Sequence, residues 1–134
     1  MPRGTLHVNL ICAKGLSNND FLTNVDPYVI LTYRSQEHKS SVSQGAGSNP
    51  KWNEVFLFTV SDDVCEIDMK LMDEDSFTQD DFLGRAIIPF HSVFYEGIIP
   101  TAVYSVVNDN KEYCGEIHVA FTFTPEVIHI HIYI

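Results

Sequence analysis

Short stretches in which apolar and polar residues alternate strictly, repeated along most of the chain, narrow what this sequence can fold into. Leu6, Val8, Leu10 and Cys12 alternate with Thr5, His7 and Asn9, the period of a strand with one face buried and one wet. Cys65, Ile67, Met69 and Leu71 alternate with Glu66, Asp68 and Lys70, and Ile117, Val119, Phe121 and Phe123 share one face of a later stretch. Eight strands are predicted, near residues 5–12, 27–31, 38–42, 52–60, 65–71, 82–88, 103–107 and 116–123. Pro27 stands at a strand start, where its missing N–H costs least, and Gly45 to Pro50 is turn chemistry. Residues 90–100 read as irregular, with one helical turn around 92–95. No convincing amphipathic helix is present, so the expected fold is all-β, an antiparallel sandwich of eight strands. Its core includes Trp52, Phe56, Phe58 and Tyr28.

A chain of 134 residues is long enough to bury a core of its own. Residues 1–126 are read as one domain and 127–134 as a tail. In the tail Ile128, Ile130, Ile132 and Ile134 alternate with His129, His131 and Tyr133, a strand pattern after the sandwich already has its full set. It can add to a sheet edge, pair with a second chain, or be a non-native extension. His129 and His131 share a face and can ligate a metal, but a polar outer face is the simpler reading.

The formal charge of −10 is unevenly placed. Asp20, Asp26, Asp73, Glu74, Asp75, Asp80 and Asp81 supply seven of the eighteen acids, and no Lys or Arg lies between Leu71 and Gly84. Nucleic acid is excluded as a natural partner, because phosphate binding needs a basic footprint. Three cysteines, Cys12, Cys65 and Cys114, form no Cys-x-x-Cys pair, which suits a reduced, cytoplasmic protein with buried thiols. No apolar run is long enough for a signal peptide or a membrane span, and no lipidation motif stands at either end. Any membrane contact is therefore expected to be reversible.

Two groups of aspartates, Asp20 with Asp26 and Asp73 with Asp75 and Asp81, lie in polar loops between predicted strands. If the loops meet at one end of the sandwich, their carboxylates repel one another unless a cation sits among them. Ca²⁺ takes six to eight oxygen ligands, and a cluster rich in Asp and free of Cys or His suits it better than zinc. The bland alternative is that such loops are simply solvated surface.

Several motifs in this order resemble those of the C2 domain, a calcium-dependent phospholipid-binding sandwich. Asp20-x₅-Asp26-Pro27-Tyr28 resembles its first calcium loop and next strand, and Asn49-Pro50-Lys51-Trp52-Asn53-Glu54 its central strand. Asp73-x-Asp75-x₅-Asp81-Phe82-Leu83-Gly84 resembles its third loop and following strand. The chain is also similar to small single-domain plant proteins of this family, described as elicitor-responsive or small phloem proteins, over residues 34–41 and 115–117. Their acidic tail is replaced here by the Ile/His run. Because the first strand feeds directly into the first loop, the implied topology is the phospholipase-like type II.

The resemblance implies Asp20, Asp26, Asp73, Asp75 and Asp81 as side-chain ligands for Ca²⁺. The backbone carbonyls of Asn19 and Glu74 would complete the shell, and Thr78 can add an oxygen. Phe21 and Leu22 in the first loop and Phe77 in the third are apolar residues in polar surroundings. Each either enters a membrane interface or folds back to brace its loop. Lys39, Arg34, Lys51 and Lys14 are sparse for a phosphoinositide site. The implied function is a monomeric, cytoplasmic adaptor in calcium signalling, with a plant defence response as one setting, recruited to phospholipid membranes by calcium. The rival reading is a protein-interaction sandwich whose calcium binding is incidental. An enzyme is not indicated, since there is no phosphate-cradling Gly loop and no nucleophile motif.

Overall fold

Residues 2–17 and 25–127 are described by the computed structural model. Eight strands and one short helix follow in order: β1 (Gly4–Lys14), β2 (Pro27–Tyr33), β3 (Gln36–Lys39), β4 (Lys51–Val60), β5 (Glu66–Asp73), β6 (Asp81–Pro89), α1 (Val93–Glu96), β7 (Ile98–Val107) and β8 (Tyr113–Pro125). All pairings are antiparallel and the strand order is β3-β2-β5-β6-β7-β8-β1-β4. A single register pair, Arg85 with Val107, joins β6 to β7. The order therefore divides there into two four-stranded layers, the sandwich expected from the alternation.

The alternation reappears as burial. Leu6, Val8 and Leu10 of β1, Val29, Leu31 and Tyr33 of β2, Ile67, Met69 and Leu71 of β5, and Ile117, Val119 and Phe121 of β8 are fully enclosed. Phe90 stacks on Phe121 at 5.5 Å between ring centroids, and Tyr33 meets Phe90 at 5.7 Å. Tyr28, Trp52 and Phe58 are in the core as expected. Phe56, expected there too, is only partly buried, with its ring 5.9 Å from that of His38.

Three departures from strict alternation have local causes. A bulge between Leu10 and Cys12 puts Cys12 and Ala13 on consecutive buried positions. A second, between Leu71 and Met72, faces Leu83 and Gly84, and both are buried. A Cβ on Gly84 would come within 2.5 Å of Val106 Cγ1 and 2.9 Å of Cys114 Sγ, so this position takes glycine because two layers close on it. β7 starts at Ile98, five residues before the expected start at 103, and accommodates Pro100 where its register with β8 shifts between Ile99 and Ala102.

The two terminal strands of the order, β3 and β4, are brought together by side chains. Gln36 Nε2 donates to Thr59 O and Gln36 Oε1 accepts from Thr59 N–H, both at 2.7 Å. His38 Nε2 lies 2.9 Å from Leu57 O, and Glu54 Oε1 accepts from Ser41 N–H and Ser41 Oγ at 2.9 and 2.6 Å. Side chains thus occupy backbone groups that an open edge would present to another chain. Residues 128–134, with their alternating Ile and His, lie outside the described residues. Among those described, no helix is long and apolar enough to cross a membrane.

Candidate functional site

Three strand ends converge at one end of the sandwich. Asp26 immediately precedes β2, Asp73 closes β5 and Asp81 opens β6. Asp73 is the register partner of both Pro27 and Asp81, so the three positions are neighbours across adjacent strands. Backbone hydrogen bonds fix their approach: Glu74 N–H donates to Asp26 O at 3.0 Å, and Asp26 N–H donates to Asp73 Oδ1 at 2.8 Å. Gly45 N–H donates to Asp26 Oδ1 at 2.6 Å, which ties the loop after β3 to the same carboxylate. Of the predicted ligands, Asp20 and Asn19 lie outside the described residues, as do Phe21 and Leu22.

Asp73 is half-buried, and its carboxyl is held above the usual carboxylate range, first by burial and then by the charges of Asp26, Asp81 and Asp75, against the lowering effect of the Asp26 N–H. The charges of Asp26, Asp81 and Asp75 thus bear together on Asp73. Asp75 behaves differently. Phe77 N–H and Thr78 N–H donate to its Oδ1 at 2.9 and 3.3 Å, and the Thr78 hydroxyl donates to its Oδ2 at 2.8 Å. These donors hold the Asp75 carboxyl below its ordinary value. Thr78 thus sits on Asp75, and the turn they build carries Phe77 outward, 96% exposed. The alternative in which Phe77 folds back onto its loop is overturned by that exposure.

Among the described residues no three His, Cys, Asp or Glu side chains are gathered tightly enough to hold an ion as they stand. The chemistry of the set nevertheless fits Ca²⁺: every donor that converges here is an oxygen, and no His or Cys is among them.

Sequence reasoning gives Asp80 no role of its own, and the structure gives it a distinct place. Its Oδ1 accepts from Asp75 N–H at 3.0 Å and its Oδ2 from the Tyr28 hydroxyl. The Asp75 N–H first, then the Tyr28 hydroxyl, lower the Asp80 carboxyl, while burial and the bond to Asp80 push Tyr28 up to about 12. The adjacent pair Asp80-Asp81 was the available signal, but a sequence does not say which of two neighbouring acids faces the loops.

The remaining site residues are scattered. Lys39 Nζ lies 4.3 Å from the centre of the Tyr28 ring. Arg34 is at the opposite end, in the turn between β2 and β3, paired with Asp62 at 2.7 Å. Lys51 opens β4 opposite Cys12 and Lys14 ends β1 opposite Glu116. Cross-strand register instead puts Lys39, Ile30, Lys70 and Arg85 in one row over β3, β2, β5 and β6. Arg85 is drawn to Asp68 at 2.9 Å. The Asn49-Pro50-Lys51-Trp52 motif reaches both the end of β1 and the start of β2: Asn49 Oδ1 accepts from Gly15 N–H at 3.1 Å, and Trp52 Nε1 donates to Pro27 O at 3.3 Å.

Comparison with known proteins agrees with this fold. The C2 domain family model matches residues 4–106. The chain is 55% identical over 126 residues to elicitor-responsive protein 3 of Oryza sativa subsp. japonica, covering 94% of this chain and 87% of that protein. It is 54% identical over 125 residues to 16 kDa phloem protein 2 of Arabidopsis thaliana, covering 93% and 84%. Among solved structures, a C2 domain-containing protein from an elicitor-responsive gene superposes with a TM-score of 0.82 at 52% identity, covering 94% of this chain and 92% of that one. The paired C2 domains of Extended-Synaptotagmin 2, calcium bound, superpose with a TM-score of 0.75 at 28% identity, covering 92% of this chain and 46% of that one.

Proposed function

This chain belongs to the C2 domain family, and on that premise we propose that it is a calcium-dependent membrane-binding module acting as an adaptor in calcium signalling. Asp26, Asp73, Asp75 and Asp81, with Asp20, hold the ion, and the carbonyls of Asn19 and Glu74 and the Thr78 hydroxyl complete the oxygen set. The observation that carries this reading is Asp73, half-buried at the convergence of β2, β5 and β6 with the charges of three further aspartates upon it. Calcium, when bound, supplies the positive charge that offsets those carboxylates and can take a lipid phosphate oxygen as a further ligand.

The chain's own residues prepare that step. Asp26 is anchored by Gly45 and Asp73 by the Asp26 N–H, so both carboxylates are held at the end of the sandwich. The Asp75 turn presents Phe77 as an apolar tip that can enter the interface, a gain of roughly 1.5–3 kcal/mol if its ring is fully buried. Without the ion, a chain of charge −10 is repelled by an anionic leaflet within about 8 Å, the Debye length at physiological salt. We place its work in the cytoplasm as a monomeric binding module rather than an enzyme. The names of the elicitor-responsive relatives support a defence setting.

Co-sedimentation with phosphatidylserine vesicles tests the reading. The chain is expected in the pellet with calcium and in the supernatant with chelator. Equal partition under both conditions overturns calcium dependence. A calcium-dependent rise in melting temperature with no vesicle binding would instead favour a protein-interaction module.

A further inference from the structure

We propose that Asp80 and Tyr28 are positioning residues for the third loop: Asp80 holds the Asp75 backbone instead of binding an ion, and the Tyr28 hydroxyl holds Asp80. The inference rests on the calcium reading above and names side chains that set the affinity of that site without belonging to it.

Both oxygens of Asp80 are taken by protein donors, one by Asp75 N–H and the other by Tyr28. Its neighbour Asp81 opens β6 in register with Asp73, where a ligand is wanted. The loop from Asp75 to Asp80 closes on itself, since Asp75 also receives Phe77 N–H, Thr78 N–H and the Thr78 hydroxyl. A closed loop of this kind can still swing as a body. Tyr28 prevents that, because it stands within β2, paired in register with Met72 and only 4% exposed. Its ring carries Lys39 Nζ at 4.3 Å, which places a cation from β3 against the same strut. The tie therefore runs from Asp75 through Asp80 and Tyr28 to the interior of the sheet. Groups that orient ligands from outside the coordination shell typically contribute about 10–100-fold to metal affinity.

Tyr28→Phe removes one hydroxyl, no carboxylate and no charge, and keeps the ring beneath Lys39. Asp80→Asn leaves one acceptor for two donors. Calcium titration of the full chain by isothermal calorimetry, beside melting curves in chelator, is the test. Each variant is expected to bind calcium about tenfold more weakly, with the same number of ions as wild type, and Tyr28→Phe, which leaves no donor without an acceptor, is expected to melt in chelator close to wild type. The double variant should be no weaker than the worse single, because both cut one tie. A purely structural role would lower melting in chelator and leave the calcium midpoint alone. Unchanged midpoints in both variants overturn the inference, as does loss of one bound ion in Asp80→Asn, which would make Asp80 a ligand. A wild-type chain that gives no calcium heat overturns the calcium reading, and this inference with it.

Discussion

Replacing Asp73 separates two roles that one carboxylate performs. Its Oδ1 accepts the Asp26 N–H, a structural task, and its charge stands amid three others, the task assigned to cation binding. Asp73→Asn keeps an acceptor oxygen and removes the charge; Asp73→Ala removes both. An N–H left without its acceptor in a partly buried position costs about 1–3 kcal/mol. For 134 residues the unfolding entropy is about 0.28 kcal/mol per degree at roughly 2.1 cal/mol/K per residue, so that cost lowers melting by about 4–11 °C. Asp73→Asn should melt in chelator at or above wild type, since it relieves repulsion. Calcium at a hundred times its dissociation constant should stabilise wild type by about 2.7 kcal/mol, which is about 10 °C on the same scale. In Asp73→Asn most of that shift should vanish. The lone tryptophan, Trp52, donates to the carbonyl of Pro27 beside Asp26, so its fluorescence follows both unfolding and the state of the loops. A full calcium shift in Asp73→Asn would refute the assignment of Asp73 as a ligand, and equal melting of the Asn and Ala variants in chelator would refute its structural role.

The same residue has a pH signature. Because its folded carboxyl titrates above the ordinary value, the folded state holds a proton that the unfolded chain has already released. Its contribution to stability therefore falls as pH rises from near 4 through the folded value. The difference in melting between wild type and Asp73→Asn in chelator should shift against wild type over that window; a constant difference would refute it.

Other perturbations address other parts of the molecule. Gly84→Ala should lose about 1–3 kcal/mol to overpacking against Val106 and Cys114, measured by urea unfolding, with the calcium midpoint unchanged. Phe77→Ala should leave melting untouched, because the ring is exposed, yet weaken vesicle binding by up to about 1.5–3 kcal/mol; equal co-sedimentation would rule out insertion. Gln36→Ala frees Thr59 N–H and O at the margin of β4, and light scattering should then show more concentration-dependent association than in the wild type; equal association would refute the protective role of Gln36. Magnesium should stabilise less than calcium at matched ionic strength, since it demands a tight octahedral shell; equal stabilisation would leave only charge screening.

What could be read in advance was whatever depends on neighbours in sequence. Alternation in residues 5–12, 65–71 and 116–123 located β1, β5 and β8, because a half-buried strand writes its period into its side chains. That Asp26, Asp73 and Asp81 stand at strand ends was legible because each borders an alternating or apolar run. Features that depend on register were not. Lys70 and Arg85 join Lys39 only after β2, β5 and β6 are aligned. The Gln36–Thr59 and His38–Leu57 contacts span 23 and 19 residues between strands that share no ladder. The early start of β7 was hidden by Pro100, which reads locally as a break and is tolerated where the register shifts. Asp80 was overshadowed by Asp81, and only the aim of its carboxylate tells them apart.

The position of β1 between β4 and β8 has a consequence for how the chain is made. Gly4 finds its partner on one side in Val60 and on the other in Pro125. During synthesis the first strand can pair early with β4, yet its second edge stays open until nearly the last residue of β8 has left the ribosome. Contacts between such distant positions are slow to form, on the millisecond-to-second scale of all-β domains. Nascent chains halted before residue 113 should therefore stay protease-sensitive while the released full chain becomes resistant, and the window between those states is when the molecule is most exposed to misassembly.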